Sequence, residues 1–272
     1  MENYPEANGQ LPAQSAQGGE GTPAATYQDL SRMVGLPLAD GALTEEQIFA
    51  GCGEANRLEL GETIIRPSDV DLAKHWIHQP DARMACLTGF PGGSSTTPAR
   101  LYEARDVLRR GVKHLVVTIN LGKLASRKFL YLESELLQLA ENCRQNEARL
   151  RVLFEVEHLQ QDHMLIAVRL CKRTAVQGMD LYFRTAPRDF ITGVVRYVLH
   201  HAKQKLDVAV HAPVMSLDAA FTLRDAGVTR LLTPQASSLL GEWKAELEHR
   251  RQEEEARRSA AKAETSPPPP SS

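Results

Sequence analysis

Six polar side chains stand at the ends of short apolar runs: Asn120, Glu155, Arg184, His211, Ser237 and Ser238. An arginine in such a place suits anion recognition, and a histidine suits proton transfer near neutrality. Ser237-Ser238 opens the last helical stretch, where free backbone N–H groups and the helix dipole favour a phosphate or other anion. The same residues have plainer uses. The serines would equally serve as helix caps. Asn120 and Glu155 would equally serve as hydrogen-bonded structural residues, and His211 as a core histidine satisfied by a neighbour. Glu155-Val156-Glu157-His158 has the residue types of a metal site. Read as an extended segment it puts only Glu155 and Glu157 on one face, so no metal is expected. The run Gly89 to Thr97 is glycine-rich but lacks the lysine and spacing of a P-loop.

Positioning such residues needs a frame, and the frame is regular. Brief apolar runs occur at Met33–Leu38, Glu62–Ile65, Met84–Gly89, His114–Asn120, Arg151–Glu155, Asp180–Arg184, Asp207–His211 and Thr229–Thr233. Each is nearly continuous, as strands buried on both faces are, and each is followed by a helical stretch. Thr44 to Gln47 forms a capping box, Ser68-Asp69 and Ser216 read as helix starts, and Gly111, Gly178 and Gly227 read as helix ends. Eight strands alternating with helices imply parallel pairing, in a closed (β/α)8 TIM barrel or a doubly wound sheet. The expected division is a disordered segment over 1–30, a barrel over 31–248, and a charged helical and Pro-rich tail over 249–272. In the tail, Glu246–Arg250, Glu253–Arg257 and Glu254–Arg258 are spaced for ion pairs along an exposed helix, Leu239, Leu240, Trp243 and Leu247 form a docking stripe, and Pro267–Pro270 end the helix.

Composition narrows the function classes. The chain has 272 residues, 42% of them hydrophobic, enough for one barrel-sized unit. A net charge of −2 gives no global reason to expect nucleic acid or an anionic membrane as partner. Cys52, Cys86, Cys143 and Cys171 are widely spaced and read as reduced, buried thiols of a cytoplasmic protein. No basic leader and no apolar run of transmembrane length is expected to direct it elsewhere.

Several segments in order resemble the deoxyribose-phosphate aldolases over about 200 residues, from Val34 to Leu240. They are Gly89-Phe90-Pro91-Gly92 with Thr96-Thr97 and Tyr102-Glu103-Ala104; Ile119-Asn120-Leu121-Gly122-Lys123-Leu124; Arg151 to Glu155; Asp225 to Arg230; and Ala236-Ser237-Ser238-Leu239-Leu240. The resemblance implies a class I aldolase-like barrel that needs no cofactor. It implies a Schiff-base lysine on strand six, a second lysine on strand seven that lowers the first one's pKa, and an aspartate on strand four for proton transfer. These three positions fall on Phe183, His211 and Val116. Arg184 cannot replace the lysine, because guanidinium stays protonated and forms no imine. Lys123, the nearest lysine after strand four, has no obvious neighbour to depress its pKa. The Asp-His pair of strand one, the glycine pair after strand seven and a C-terminal tyrosine are also absent.

Three readings follow. The first is a catalytically silent aldolase-like barrel (a pseudoenzyme) with a binding or scaffold role. The second is an active lyase on 2-deoxyribose 5-phosphate or another sugar phosphate, with Arg184, His211 and Glu155 in a rearranged site and Phe183 plugging the mouth if that reading fails. The third is an interaction protein working through its ends, with a cytoskeletal partner such as actin by analogy. A homodimer is compatible with each.

Overall fold

The computed structural model describes residues 26–78 and 83–264, with side chains described as far as 259. Eight parallel strands close on themselves in sequence order: β1 Val34–Leu38, β2 Glu62–Ile65, β3 Arg83–Thr88, β4 His114–Thr118, β5 Arg149–Glu155, β6 Gly178–Tyr182, β7 Asp207–His211 and β8 Arg230–Leu232. The closing seam pairs Val34 with Leu231 and Gly35 with Leu232. Gly35 has no room for a side chain, since a Cβ there would lie 2.4 Å from Leu232 Cδ1 and 2.9 Å from the Glu62 carbonyl. The helices are α1 Tyr27–Ser31, α2 Glu45–Arg57, α3 Val70–Trp76, α4 Thr97–Arg109, α5 Leu121–Ala125, α6 Phe129–Gln145, α7 Gln161–Arg173, α8 Arg188–Ala202, α9 Leu217–Ala226 and α10 Ala236–Glu264. The expected TIM barrel is therefore the fold, and the doubly wound sheet is excluded by closure.

Period-2 alternation splits the apolar residues into two cores. Outward-facing side chains such as Val117, Val152, Met179, Leu181 and Val208 pack under the helices. Ile64, Ala85, Leu87, Val116, Leu153, Ala209 and Leu232 fill the lumen.

The structure moves three expected boundaries. Residues 26–30 are ordered, contrary to a disordered segment reaching residue 30. Thr26 and Asp29 exchange capping hydrogen bonds, Leu30 is fully buried, and Trp243 Nε1 donates to the Thr26 carbonyl at 3.2 Å. Residues 1–25 lie outside the described residues. At the other end α10 runs unbroken through 248–249, with Leu239, Leu240 and Trp243 buried and Glu246 bonded to Arg250 at 2.8 Å. Pro267–Pro270 lie outside the described residues. Finally, Gly178 begins β6 and ends no helix. After α7 the left-handed turn falls on Ala175 (φ 55°), while Gly111 and Gly227 take it where expected. No helix among the described residues is long and apolar enough to cross a membrane.

Candidate functional site at the barrel mouth

The same alternation that fills the lumen with aliphatic groups also turns four charged residues into it. Glu62 grips Arg151 with both oxygens, at 2.6 and 2.8 Å. Arg151 Nη2 also donates to Asp180 Oδ2 at 2.9 Å, and that same oxygen lies 2.8 Å from His211 Nε2. Arg230 flanks the chain, 3.9 Å from Glu62 and 3.5 Å from Asp207. Glu62, Arg151, Asp180 and His211 are 1, 2, 0 and 4% exposed. Charges this deep persist only when paired and hydrogen-bonded. Burial alone would raise the Asp180 pKa, but the Arg151 charge and the His211 hydrogen bond outweigh it and hold the carboxyl below the usual range. An ionised Asp180 can only accept, so His211 Nε2 carries the proton of this hydrogen bond. Asp180 Oδ1 and Arg151 Nε have no partner among the described residues and keep hydrogen-bonding capacity within the lumen.

His211 closes β7 beside Tyr182, which closes β6. Tyr182 faces inward over His211, with ring centroids 6.3 Å apart. Phe90 meets Tyr182 edge-on at 5.6 Å, so the loop after β3 lies across the mouth. That loop is fastened at several points. The Gly92 N–H donates to Glu155 Oε1 at 2.9 Å and the Gly89 N–H to Glu103 at 3.1 Å. Gly93 has φ 62°, and a Cβ on it would lie 2.4 Å from the Ile119 carbonyl oxygen. Behind the loop, buried Arg100 of α4 bonds the Thr118 carbonyl and Glu135 of α6, which fixes the end of β4. On the rim, Arg184 Nη2 lies 3.4 Å from Glu155 Oε2.

Glu155, Arg184 and His211 thus share three neighbouring strand ends, as a site requires. The other candidates have the following surroundings. Asn120 is the N-cap of α5, its Oδ1 accepting the Lys123 N–H at 3.0 Å. Lys123 itself is exposed, its ammonium 5.2 Å from the centre of the Tyr131 ring. Val116 sits in the apolar lumen. Phe183 does not plug the mouth. It lies one residue past inward-facing Tyr182, so it turns outward and is buried against α8, its ring 6.4 Å from Phe190. Ser237 and Ser238 are the second and third residues of α10, inside the helix and not at its cap, and Ser237 Oγ accepts from Arg57 Nη2 at 3.3 Å. The segment after Glu155 is a 3-10 turn over Val156–His158 and not an extended strand; Glu157 accepts the Arg184 and Thr185 N–H groups. No group of three metal-ligating side chains occurs among the described residues. All four cysteines are free and buried.

The sequence reading missed Asp180, Arg151, Glu62, Arg230, Tyr182 and Phe90. A signal existed for the first four. Each is a charged residue inside an otherwise apolar strand run, and such a residue in a strand buried on both faces must find an opposite charge across the lumen. Chemically, the mouth offers a histidine oriented by a carboxylate, and a guanidinium on the rim. No lysine lies on any of the eight strands.

No family model matches the chain. Among curated proteins it is 26% identical over 223 residues to a deoxyribose-phosphate aldolase of Microcystis aeruginosa, covering 81% of this chain and 96% of that one. A Picosynechococcus deoxyribose-phosphate aldolase is 25% identical, over 79% of this chain and 92% of its own. Among solved structures, the Aeropyrum pernix deoxyribose phosphate aldolase superposes with a TM-score of 0.70 at 19% identity, covering 80% of this chain and 92% of that one. A second solved aldolase gives 0.71 at 22% identity, over 80% and 96%. At these identities the structures establish a shared fold, and the curated relatives make the chain aldolase-like in sequence along the barrel.

Proposed function

We propose that the chain is a divergent member of the deoxyribose-phosphate aldolase family whose barrel has lost Schiff-base chemistry and serves as a cytoplasmic binding or scaffold protein. The observation that carries this reading is the absence of lysine from all eight strands. An imine needs a neutral amine within reach of the bound carbonyl. At the height where β6 would supply one, Tyr182 faces in and Phe183 faces out. On β7 the tuning position is His211, tied to Asp180. On β4 the proton-transfer position is aliphatic Val116. Nucleophile, pKa tuning and proton transfer each contribute orders of magnitude, so their joint loss is not offset by one relocated group. The test is retro-aldol cleavage of 2-deoxyribose 5-phosphate together with borohydride trapping. The expected result is no turnover and no adduct; robust turnover or a trapped lysine overturns the proposal.

One observation favours a second reading, an active lyase on a sugar phosphate with a rearranged site. The buried Asp180–His211 pair has the base-and-orienter form of acid–base catalysts, and Arg184, against Glu155 on the rim, is available to an anion. Turnover that persists without a trappable amine and disappears in His211→Asn would select this reading over the first.

A further inference from the structure

The end of the barrel opposite the mouth holds a groove of about 840 Å³ between α8 and α9, at the N-terminal ends of β7 and β8. Its cationic wall is Arg196 of α8 with Lys203 of the following turn, and His200 also lines it. Two carboxylates also line it, and both are engaged. Asp207 pairs with Arg149 at 3.0 Å and Arg230 at 3.5 Å, and Asp225 pairs with Arg224 at 2.8 Å. Arg196 and Lys203 have no ion-pair partner among the described residues. The groove therefore carries uncompensated positive charge, although the chain as a whole has a net charge of −2.

Two further observations concern the same place. Lys203 and Gln204 are consecutive non-glycine residues in the left-handed region, with φ 51° and 56°. Such conformations are costly for side-chain-bearing residues and persist where the surroundings impose them. This pair folds the turn that carries Lys203 onto the groove. Next to it, His201 has its pKa lowered, first by burial and then by His200, Arg169, Lys172 and Lys203. Arg169 and Lys172 of α7 thus add positive charge near the groove, outside its lining. The remaining lining is partly aliphatic, with Leu199, Leu206 and Ala226. A bare anion would make no use of that surface, whereas the organic body of a small molecule would. The volume is that of a small-molecule site.

We propose that this groove binds a small organic phosphate, with Arg196 and Lys203 on the phosphate and the Leu199–Leu206–Ala226 wall against the organic part. The site is independent of the mouth and of the reading given to it.

Calorimetric titration of the full chain with AMP, adenosine and inorganic phosphate tests this. AMP is expected to bind saturably and more tightly than either of the others, and to weaken as salt is raised. The exposed double variant Arg196→Ala/Lys203→Ala is expected to lose about tenfold in affinity for each charge-assisted contact removed. Arg184→Ala, at the mouth, is expected to bind AMP as the unaltered chain does. The proposal is overturned if AMP does not bind, if adenosine binds equally well, or if the double variant keeps its affinity. It is also overturned if Arg184→Ala is the variant that loses binding.

Discussion

Replacing Arg151 by methionine is the sharpest test of the buried charge chain. Arg151 is the only guanidinium within hydrogen-bonding distance of both Glu62 and Asp180 among the described residues, at 2.6 to 2.9 Å. Methionine matches its stem in volume and leaves two carboxylates at 1 and 0% exposure. Removing one partner of a buried ion pair costs about 3–5 kcal/mol, because the remaining charge is neither solvated nor paired. Arg230, 3.9 Å from Glu62, and His211 beside Asp180 recover part of that. The expected loss is therefore about 4 kcal/mol at pH 7, a large part of the roughly 5–15 kcal/mol typical of a domain. For a body of this size that lowers Tm by roughly 8–16 °C.

The pH dependence has a definite sign. In the unaltered protein the Asp180 pKa is depressed, so its contribution is present above the unfolded carboxylate value and disappears as pH falls through the folded one. In Arg151→Met the largest opposing charge is gone and only His211 and Arg230 still act against burial, so the folded pKa of Asp180 rises and the deficit should shrink as pH falls from 7 towards 5. The assay is thermal and urea unfolding followed by circular dichroism at both pH values. The apolar triple variant Glu62→Leu/Arg151→Met/Asp180→Leu should be far less impaired than the single one, because no charge is then left buried. A single-variant loss below about 1 kcal/mol, the size of a surface ion pair, or a deficit that grows on acidification, would refute the reasoning.

Two further outcomes follow from particular residues. Burial lowers the His114 pKa to about 4, partly opposed by Glu62, so between pH 6.5 and 4 only the unfolded chain takes up the proton. Stability should fall across that window by about 1–2 kcal/mol after discounting for partial exposure, and His114→Gln should flatten the slope in urea-midpoint measurements. Gly93→Ala should cost roughly 2 kcal/mol, from its left-handed φ and the contact with the Ile119 carbonyl. It should also release the loop over the mouth, seen as faster hydrogen exchange at residues 89–93.

The barrel was legible because its strands are brief runs buried on both faces and several helices carry their own start signal, such as the Thr44 capping box. The site was legible only in part, for a geometric reason. Glu155, Arg184 and His211 could be placed because strand ends are visible as the limits of apolar runs. Which of Tyr182 and Phe183 faces the lumen depends on one residue of strand phase, and run boundaries do not fix phase. The expected sixth strand, Asp180–Arg184, lies two residues late, and its true start at Gly178 was read as a helix end. The pairing of Glu62 with Arg151 spans 89 residues, and its partners are set by closure of the barrel.

The phase of β6 also decides what a lysine introduced on that strand would meet. A lysine in place of Phe183 would point into the apolar core under α8, where burial penalises its ammonium, and would destabilise the fold. A lysine in place of Tyr182 would face the mouth, yet its register neighbour on β5 is Glu155, and Asp180 lies one inward position below. Two carboxylates favour the ammonium form, which raises the amine pKa; Arg184 on the rim opposes them but is more exposed and better screened. The new amine would stay protonated at neutral pH and would not attack a carbonyl. Under the proposed reading, the electrostatic surroundings of this mouth weigh against imine chemistry as much as the residue types on its strands. A family lysine works because a neighbouring cation keeps it neutral. Here the neighbouring strand offers a histidine already committed to Asp180.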